Sequence, residues 1–216
     1  MSGYVGAKHE FHDAEYVRGW AERFAPTAPR VRLFDLVLEQ ISKPQVAAKH
    51  VVELGIGPGY MARHILERNR EVSYEGVDFS EAMFAIARHT IGDLMARVTL
   101  TTADLFDNSW PAKLSERPGA IISTWALHDL GGQQAIADVY KRCFEALPPG
   151  GVLVNGDFIK PDGTAFDYEA GRFSIDRHFE LLKAAGFAEP QCLAHLEPNT
   201  ENPTAGENYA CLVALR

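Results

Sequence analysis

Three groups of residues in this chain have the types and spacing to do chemistry. The first is Val51-Val52-Glu53-Leu54-Gly55-Ile56-Gly57-Pro58-Gly59, an apolar run that breaks into alternating glycines. Glycine admits the positive φ of a tight turn and lets a ligand come close to the backbone. A buried strand opening through such a loop into a helix suits a nucleotide-like cofactor. The second group is acidic. Asp78 lies 23 residues beyond Gly55, close to the spacing at which an acid accepts hydrogen bonds from ribose hydroxyls, and Asp104 follows the next apolar segment. The third is His128-Asp129, with Asp157 further on. An imidazole titrating near ~6.5 suits a general base, and Asp129 is placed to fix its ring or to cap a helix.

Tyr60 stands where a dinucleotide fingerprint, G-x-G-x-x-G, requires its third glycine. That disfavours an NAD(P)-dependent oxidoreductase, which stays as an alternative, as does a non-catalytic ligand-binding module on the same fold. Tyr16 and Trp20, one helical turn apart, are candidates for an aromatic cover or for a core-facing stripe. His9, His12, His178 and His195 have no ligand spacing, so no metal is expected.

These residues need elements to hold them. Asp13 is a candidate cap for a helix with apolar Val17, Trp20, Ala21 and Phe24, ended by Pro26 and Pro29. Phe34, Val37, Leu38 and Ile41 form a second stripe, closed by Pro44. Strands are expected at 51–54, 73–77, 97–102, 120–123 and 152–154, each followed by helical periodicity. Ser80 is the expected cap before Met83, Ala87 and Ile91, and Asp176 the expected cap before Phe179 and Leu182, with Gly186 as the stop. Two late strands, 191–196 and 209–215, have no helix between them and read as an antiparallel pair at a sheet edge. Repeated strand–helix units imply an α/β fold with a parallel sheet covered on both faces, whose ligands bind beyond the carboxyl ends of the strands. The expected organisation is an N-terminal helical cap, 1–46, and a cofactor-binding core, 47–216.

With 21 Lys and Arg against 29 Asp and Glu, the net charge is −8, which argues against a nucleic-acid partner. No apolar run approaches the ~20 residues that cross a bilayer. The opening Met1-Ser2-Gly3-Tyr4 lacks the charged and apolar regions of a signal peptide. Three cysteines without metal spacing read as reduced thiols, so the expected compartment is the cytoplasm. A homodimer is admitted.

Taken in order, the motifs resemble those of class I S-adenosylmethionine-dependent methyltransferases of the small-molecule type. Glu53-Leu54-Gly55-Ile56-Gly57-Pro58-Gly59 is similar to the family's motif I. Val77-Asp78-Phe79-Ser80 is similar to its acidic end of strand two, and Ala103-Asp104-Leu105 to its turn after strand three. The segment from Ser123 to Leu130 resembles that after strand four, and Leu147-Pro148-Pro149-Gly150-Gly151 the turn into strand five. The resemblance covers roughly residues 30–216.

It implies a Rossmann-like, seven-stranded, mostly parallel sheet with an antiparallel last strand, and S-adenosylmethionine as cofactor. Gly55, Gly57 and Gly59 would pass close to its methionine and ribose parts, and Glu53 would hold its amino group. Asp78 would take the ribose, and Phe79, Asp104 and Leu105 the adenine. Trp125 would wall the pocket near the reactive methyl, with Tyr16, Trp20, His128 and Asp129 around a small-molecule O or N acceptor. His128 and Asp157 are the candidate catalytic residues, although alignment alone suffices for much of this chemistry. The stretch 159–175 is shorter than the insert many small-molecule methyltransferases carry, which shifts the covering role to the N-terminal helices.

Overall fold

The computed structural model describes residues 9–43, 46 and 49–216. Seven strands form one sheet: β1 (His50–Leu54), β2 (Ser73–Asp78), β3 (Val98–Thr102), β4 (Ala120–Thr124), β5 (Val152–Phe158), β6 (Ala188–Leu196) and β7 (Tyr209–Leu215). Their order is β3-β2-β1-β4-β5-β7-β6. Pairings β1–β2, β2–β3, β1–β4 and β4–β5 are parallel, whereas β7 runs antiparallel to both β5 and β6. The late strands are therefore an antiparallel pair, but β6 points the same way as the parallel strands and β7 alone is reversed. The described residues form six α-helices, α1 (Ala14–Arg23), α2 (Ala28–Ile41), α3 (Tyr60–Arg68), α4 (Glu81–Ile91), α5 (Gln133–Ala146) and α6 (Ile175–Ala185), of which α1 lies against α4.

Alternation along β1 shows how the two faces are built. Val51 packs with α2, α3 and α4 through Leu33, Val37, Ile65, Phe84 and Ile91. Val52 and Leu54 pack on the other side with Ile136, Tyr140 and Leu182 of α5 and α6. The period of two sends successive side chains to opposite layers, and β1 is buried throughout, as a central parallel strand must be. Helix α2 shares the sheet's core directly, since Leu33 lies where a Cβ on Gly156 of β5 would sit.

The caps follow local chemistry. Asp13 accepts from Tyr16 N at 2.7 Å, and Ser80 Oγ accepts from Met83 N at 3.1 Å. Three expectations are corrected. The cap of α6 is Ser174, which accepts from Arg177 N at 3.2 Å, and Asp176 lies in the first turn. Pro29 begins α2, within its first turn where its missing N–H costs nothing. Strand β5 continues to Phe158, so Asp157 is inside the strand, opposite Ala210 of β7. Pro44 lies outside the described residues.

Glu75 pins the sheet's other half. This fully buried carboxylate accepts from Ser115 N at 3.0 Å, from Ser115 Oγ at 2.6 Å and from Thr101 Oγ1, and meets His50 Nε2 at 3.1 Å. Burial alone would raise its pKa, but the hydrogen bonds from His50, Ser115 and Thr101 outweigh it and hold the group at about 2. The stability it contributes is complete above its ordinary value near 4.5 and drains away as pH falls toward 2. Urea unfolding from pH 6 down to pH 3, on the order of the window set by that linkage, is expected to show a falling midpoint in the wild type and a flatter one in Glu75→Gln. Glu75→Ala, which strands three partners, costs about 3 kcal/mol at neutral pH.

Candidate active site

The chain leaves β1 toward β2 and β3 on one side and returns through β4 and β5 on the other, so a crevice opens beyond the carboxyl ends of β1 and β4. It holds a cavity of about 490 Å³, within the size range of small-ligand sites. One wall is the glycine loop. Gly55 and Gly57 have φ of +74° and +49° and line the cavity. Gly55 abuts Ala126, while the space a Cβ on Gly57 would fill is open. Gly59 is different. Its φ is +80°, it does not line the cavity, and a Cβ there would press on Ala87 and Ile91 of α4 at 3.1–3.2 Å. The structure gives Gly59, expected to serve a ligand, a packing role: it lets α3 start tight against α4.

Asp78 ends β2 with its carboxylate on the cavity wall. Its Oδ2 accepts from Gly57 N at 3.0 Å and its Oδ1 from Ser80 N at 3.0 Å. Burial raises its pKa against those two bonds and one from Phe79 N. Three backbone amides thus take three of the roughly four acceptor sites of the carboxylate, and one remains for a ligand hydroxyl. Phe79, Asp104 and Leu105 continue this wall, and Asp104 Oδ1 accepts from Phe106 N at 2.9 Å. Glu53 lies deeper, where Tyr74 donates to its Oε2 at 2.7 Å. Burial pushes its pKa up to about 8, with the bonds from Tyr74 and Thr124 pulling the other way and Asp78 adding to the rise. It therefore holds a proton at neutral pH until a cation approaches.

Past β4, Trp125 is a non-glycine residue at φ +48°, a sparsely populated conformation of the kind found at functional sites. Its N–H donates to Gly156 O at 2.9 Å, yet its indole Nε1 is buried without a partner among the described residues. Arg30 of α2 lies over the Trp125 ring at 5.5 Å and the Phe24 ring at 4.8 Å. It lines the cavity with no hydrogen bond or ion pair to the described residues, and burial lowers its pKa.

His128 is held from both sides. Its Nδ1 lies 2.8 Å from Asp157 Oδ1, its Nε2 3.2 Å from Asp129 Oδ1, and its backbone N donates to Asp157 Oδ2 at 3.0 Å. Burial works against its charge, but the two carboxylates prevail and its pKa is raised; that of Asp157, despite burial, is lowered by the same pairing. Asp157 is absent from the cavity wall. The expectation that it faces substrate is corrected: it is a positioning residue behind His128, because β5 continues past it and turns its side chain beneath the ring.

Tyr16, Trp20 and the 310 turn Glu10–His12 cover the opening. Phe11 packs edge-on to Trp20 at 5.4 Å and lies 6.4 Å from Phe79, and Tyr16 Oη donates to Glu10 at 2.6 Å. Tyr60 also lines the cavity, and its hydroxyl donates to Ala21 O of α1 at 3.2 Å. One cavity thus gathers Glu53, Gly55, Gly57, Asp78, Phe79, Asp104, Leu105, Trp125, His128, Asp129, Tyr16 and Trp20, and leaves out Gly59 and Asp157. It adds Arg30 and Arg172, which carry no sequence signal beyond their charge.

Residues 51–151 match a family model described as a methyltransferase domain. A trans-aconitate 2-methyltransferase of Delftia acidovorans is 34% identical over 145 residues, 67% of this chain and 47% of that protein. An uncharacterized methyltransferase of Bacillus subtilis is 28% identical over 101 residues, 47% of this chain and 51% of that protein. The chain spans about half the length of the curated relatives it matches. Among solved structures, an O-methyltransferase family protein from Burkholderia thailandensis superposes with a TM-score of 0.72 at 17% identity, covering 95% of this chain and 60% of that one. Human N-acetylserotonin methyltransferase in complex with S-adenosylmethionine gives 0.69 at 14% identity, covering 98% and 60%. At such identities the likeness is one of fold.

The two glycine roles separate by stability. Gly57→Ala, which meets only the left-handed backbone penalty, is expected to cost about 1 kcal/mol in urea unfolding. Gly59→Ala adds a clash with α4 and is expected to cost about 2–3 kcal/mol.

Proposed function

We propose that the chain, whose residues 51–151 match a methyltransferase domain, is a class I S-adenosylmethionine-dependent methyltransferase that transfers a methyl group to an oxygen or nitrogen of a small-molecule acceptor. The observation that carries this reading is the continuity of one cavity from the glycine loop and its acids to His128. The relatives named for trans-aconitate make a small organic acid the first acceptor to test.

The residues present fit the donor. The open space at Gly57 admits a ligand against the backbone, and the acceptor site left on Asp78 suits a ribose hydroxyl. Phe79, Asp104 and Leu105 are placed for the adenine, Glu53 for the ammonium group and the unpaired Arg30 for the carboxylate. The orphaned indole Nε1 of Trp125 offers a further donor nearby. When bound, S-adenosylmethionine supplies a methyl group already activated by a sulfonium. The protein's share is then alignment and exclusion of water, which is proximity catalysis. Trp125 and the cover of Phe11, Tyr16 and Trp20 shape the acceptor end, and His128, fixed by Asp157, orients what enters it.

S-adenosylhomocysteine at about a hundred times its Kd stabilises the folded state by about 2.7 kcal/mol, a rise in Tm of roughly 6–10 °C for a chain of this size. NAD is expected to give none, and Asp78→Ala to abolish the rise. A shift with NAD and none with S-adenosylhomocysteine would sink this reading. A second outcome concerns Glu53: with its pKa near 8, a ligand ammonium favours the charged form, so binding at neutral pH releases a proton. Titration calorimetry in buffers of different ionisation enthalpy is expected to detect that release, and Glu53→Gln to remove it.

A further inference from the structure

We propose that the loop between β6 and β7, 197–208, selects the acceptor by size, with Arg172 holding its tip at the cavity and Gly206 setting how much room is left. The proposal rests on the methyl-transfer reading above and adds a specificity determinant to it.

The loop is built to hold one shape. Asn199 is its hub: its Oδ1 accepts from Glu201 N at 3.2 Å and Asn202 N at 3.0 Å, and its Nδ2 donates to Asn202 O at 3.1 Å and to Glu207 Oε2 at 3.2 Å. Asn208 closes the loop. Its Oδ1 accepts from Asn199 N at 2.9 Å and its Nδ2 donates to Asn199 O at 2.8 Å. Asn208 is buried and stands at φ +59°, a conformation that costs energy and persists only where its surroundings enforce it. Thr204 to Glu207 then forms a tight turn, in which Glu207 N donates to Thr204 O at 3.3 Å and Thr204 N to Glu207 Oε2 at 2.6 Å. Compact loops packed by their own side chains are frequently functional.

The tip of that turn meets the cavity, since Ala205 and Gly206 both line it. Ala205 O accepts from Arg172 Nη2 at 2.6 Å. The Arg172 side chain is buried, pairs with Glu169 at 2.7 Å and sets its guanidinium 4.0 Å from the centre of the Phe158 ring. Phe158 in turn meets His128 edge-on at 4.9 Å. This chain of contacts puts the tip at the His128 end, where an acceptor belongs. The connector that carries Arg172 is fixed there as well, because a Cβ on Gly171 would fall on His128 O, and only glycine lets the two backbones approach so closely. One guanidinium thus joins the connector before α6 to the β6–β7 loop, beside the turn at His128.

Gly206 has a different reason to be glycine. Its φ lies outside the left-handed region, and no atom of the described residues comes within 4 Å of the place its Cβ would take. Neither the backbone nor a neighbour requires glycine there. What the missing side chain leaves is space on the cavity wall. The match to the methyltransferase domain ends at residue 151, so Arg172 and Gly206 lie outside the matched segment. Loops carried on a shared scaffold are where recognition is tuned.

The test uses the full chain with S-adenosylhomocysteine. The thermal shift is measured first, and its absence in the wild type removes the methyl-transfer reading itself. One-ring probes (phenol, benzoate, benzylamine) and two-ring probes (2-naphthol, 2-naphthoate, 2-naphthylmethylamine) are then titrated into that complex by saturation-transfer NMR. Gly206→Phe is expected to keep the S-adenosylhomocysteine shift and to weaken the largest probe bound by the wild type about tenfold or more, while Gly206→Ala changes it by no more than about threefold. Undiminished binding of that probe in Gly206→Phe, loss of the S-adenosylhomocysteine shift in that variant, or no probe bound by the wild-type complex overturns the proposal. Arg172→Met keeps the packing on Phe158 and removes the donor to Ala205. It is expected to speed hydrogen exchange at the Thr204 and Glu207 amides about tenfold or more, without change in β5 or β7, and Arg172→Lys to restore protection. Unchanged exchange at those two amides in Arg172→Met overturns the role of Arg172, and should that variant not fold, Gly206→Phe decides.

Discussion

The site depends on one buried carboxylate, that of Asp78. It binds the Gly57 amide on one side and the Ser80 amide on the other, and so ties the loop after β1 to the turn after β2. Burying a carboxylate is costly unless hydrogen bonds compensate, and these two do so only because Gly57 takes a left-handed conformation that turns its N–H toward β2. The loop, the strand end and the start of α4 are thus set by the same group, and the cavity inherits its shape from them.

Around that anchor the cavity sorts its ionisable groups by depth. Glu53, deepest, keeps its proton; Asp78 is stabilised by backbone amides; and at the far end Asp157 pairs with an imidazole. Two arginines sit near the aromatic walls, Arg30 over Trp125 and Arg172 over Phe158. Stacking on an aromatic face holds a guanidinium in place without using all its N–H groups, which leaves charge free for a ligand.

Much of this was legible in the sequence because it rests on local rules. The β1 run, the glycine loop, Ser80 as a cap and Gly186 as a stop all follow from neighbouring residues. Misreadings arose where a distant contact decided. Asn155-Gly156-Asp157 has turn-forming composition, yet β5 runs through it. Gly156 admits Leu33 of α2, and Asn155 Nδ2 donates to the buried hydroxyl of Tyr140 at 3.0 Å. Gly59 matches a ligand glycine in spacing, and only the position of α4 shows its other purpose. Ser174 and Asp176 are both good caps, and the bond from Arg177 N goes to Ser174. Arg30 and Arg172 sit in segments with no motif, so their shared cavity emerges only from the fold.

The hydroxyl of Ser80 serves two parts of the molecule at once. It accepts from Met83 N to cap α4 and donates to Phe11 O in the turn that roofs the cavity. Tyr60, at the end of the glycine loop, fastens α1 from the other side. The roof of the cavity is therefore bolted to the same loop and helix that form its floor. Roof and floor share their anchors, so a substitution that loosens one also loosens the other.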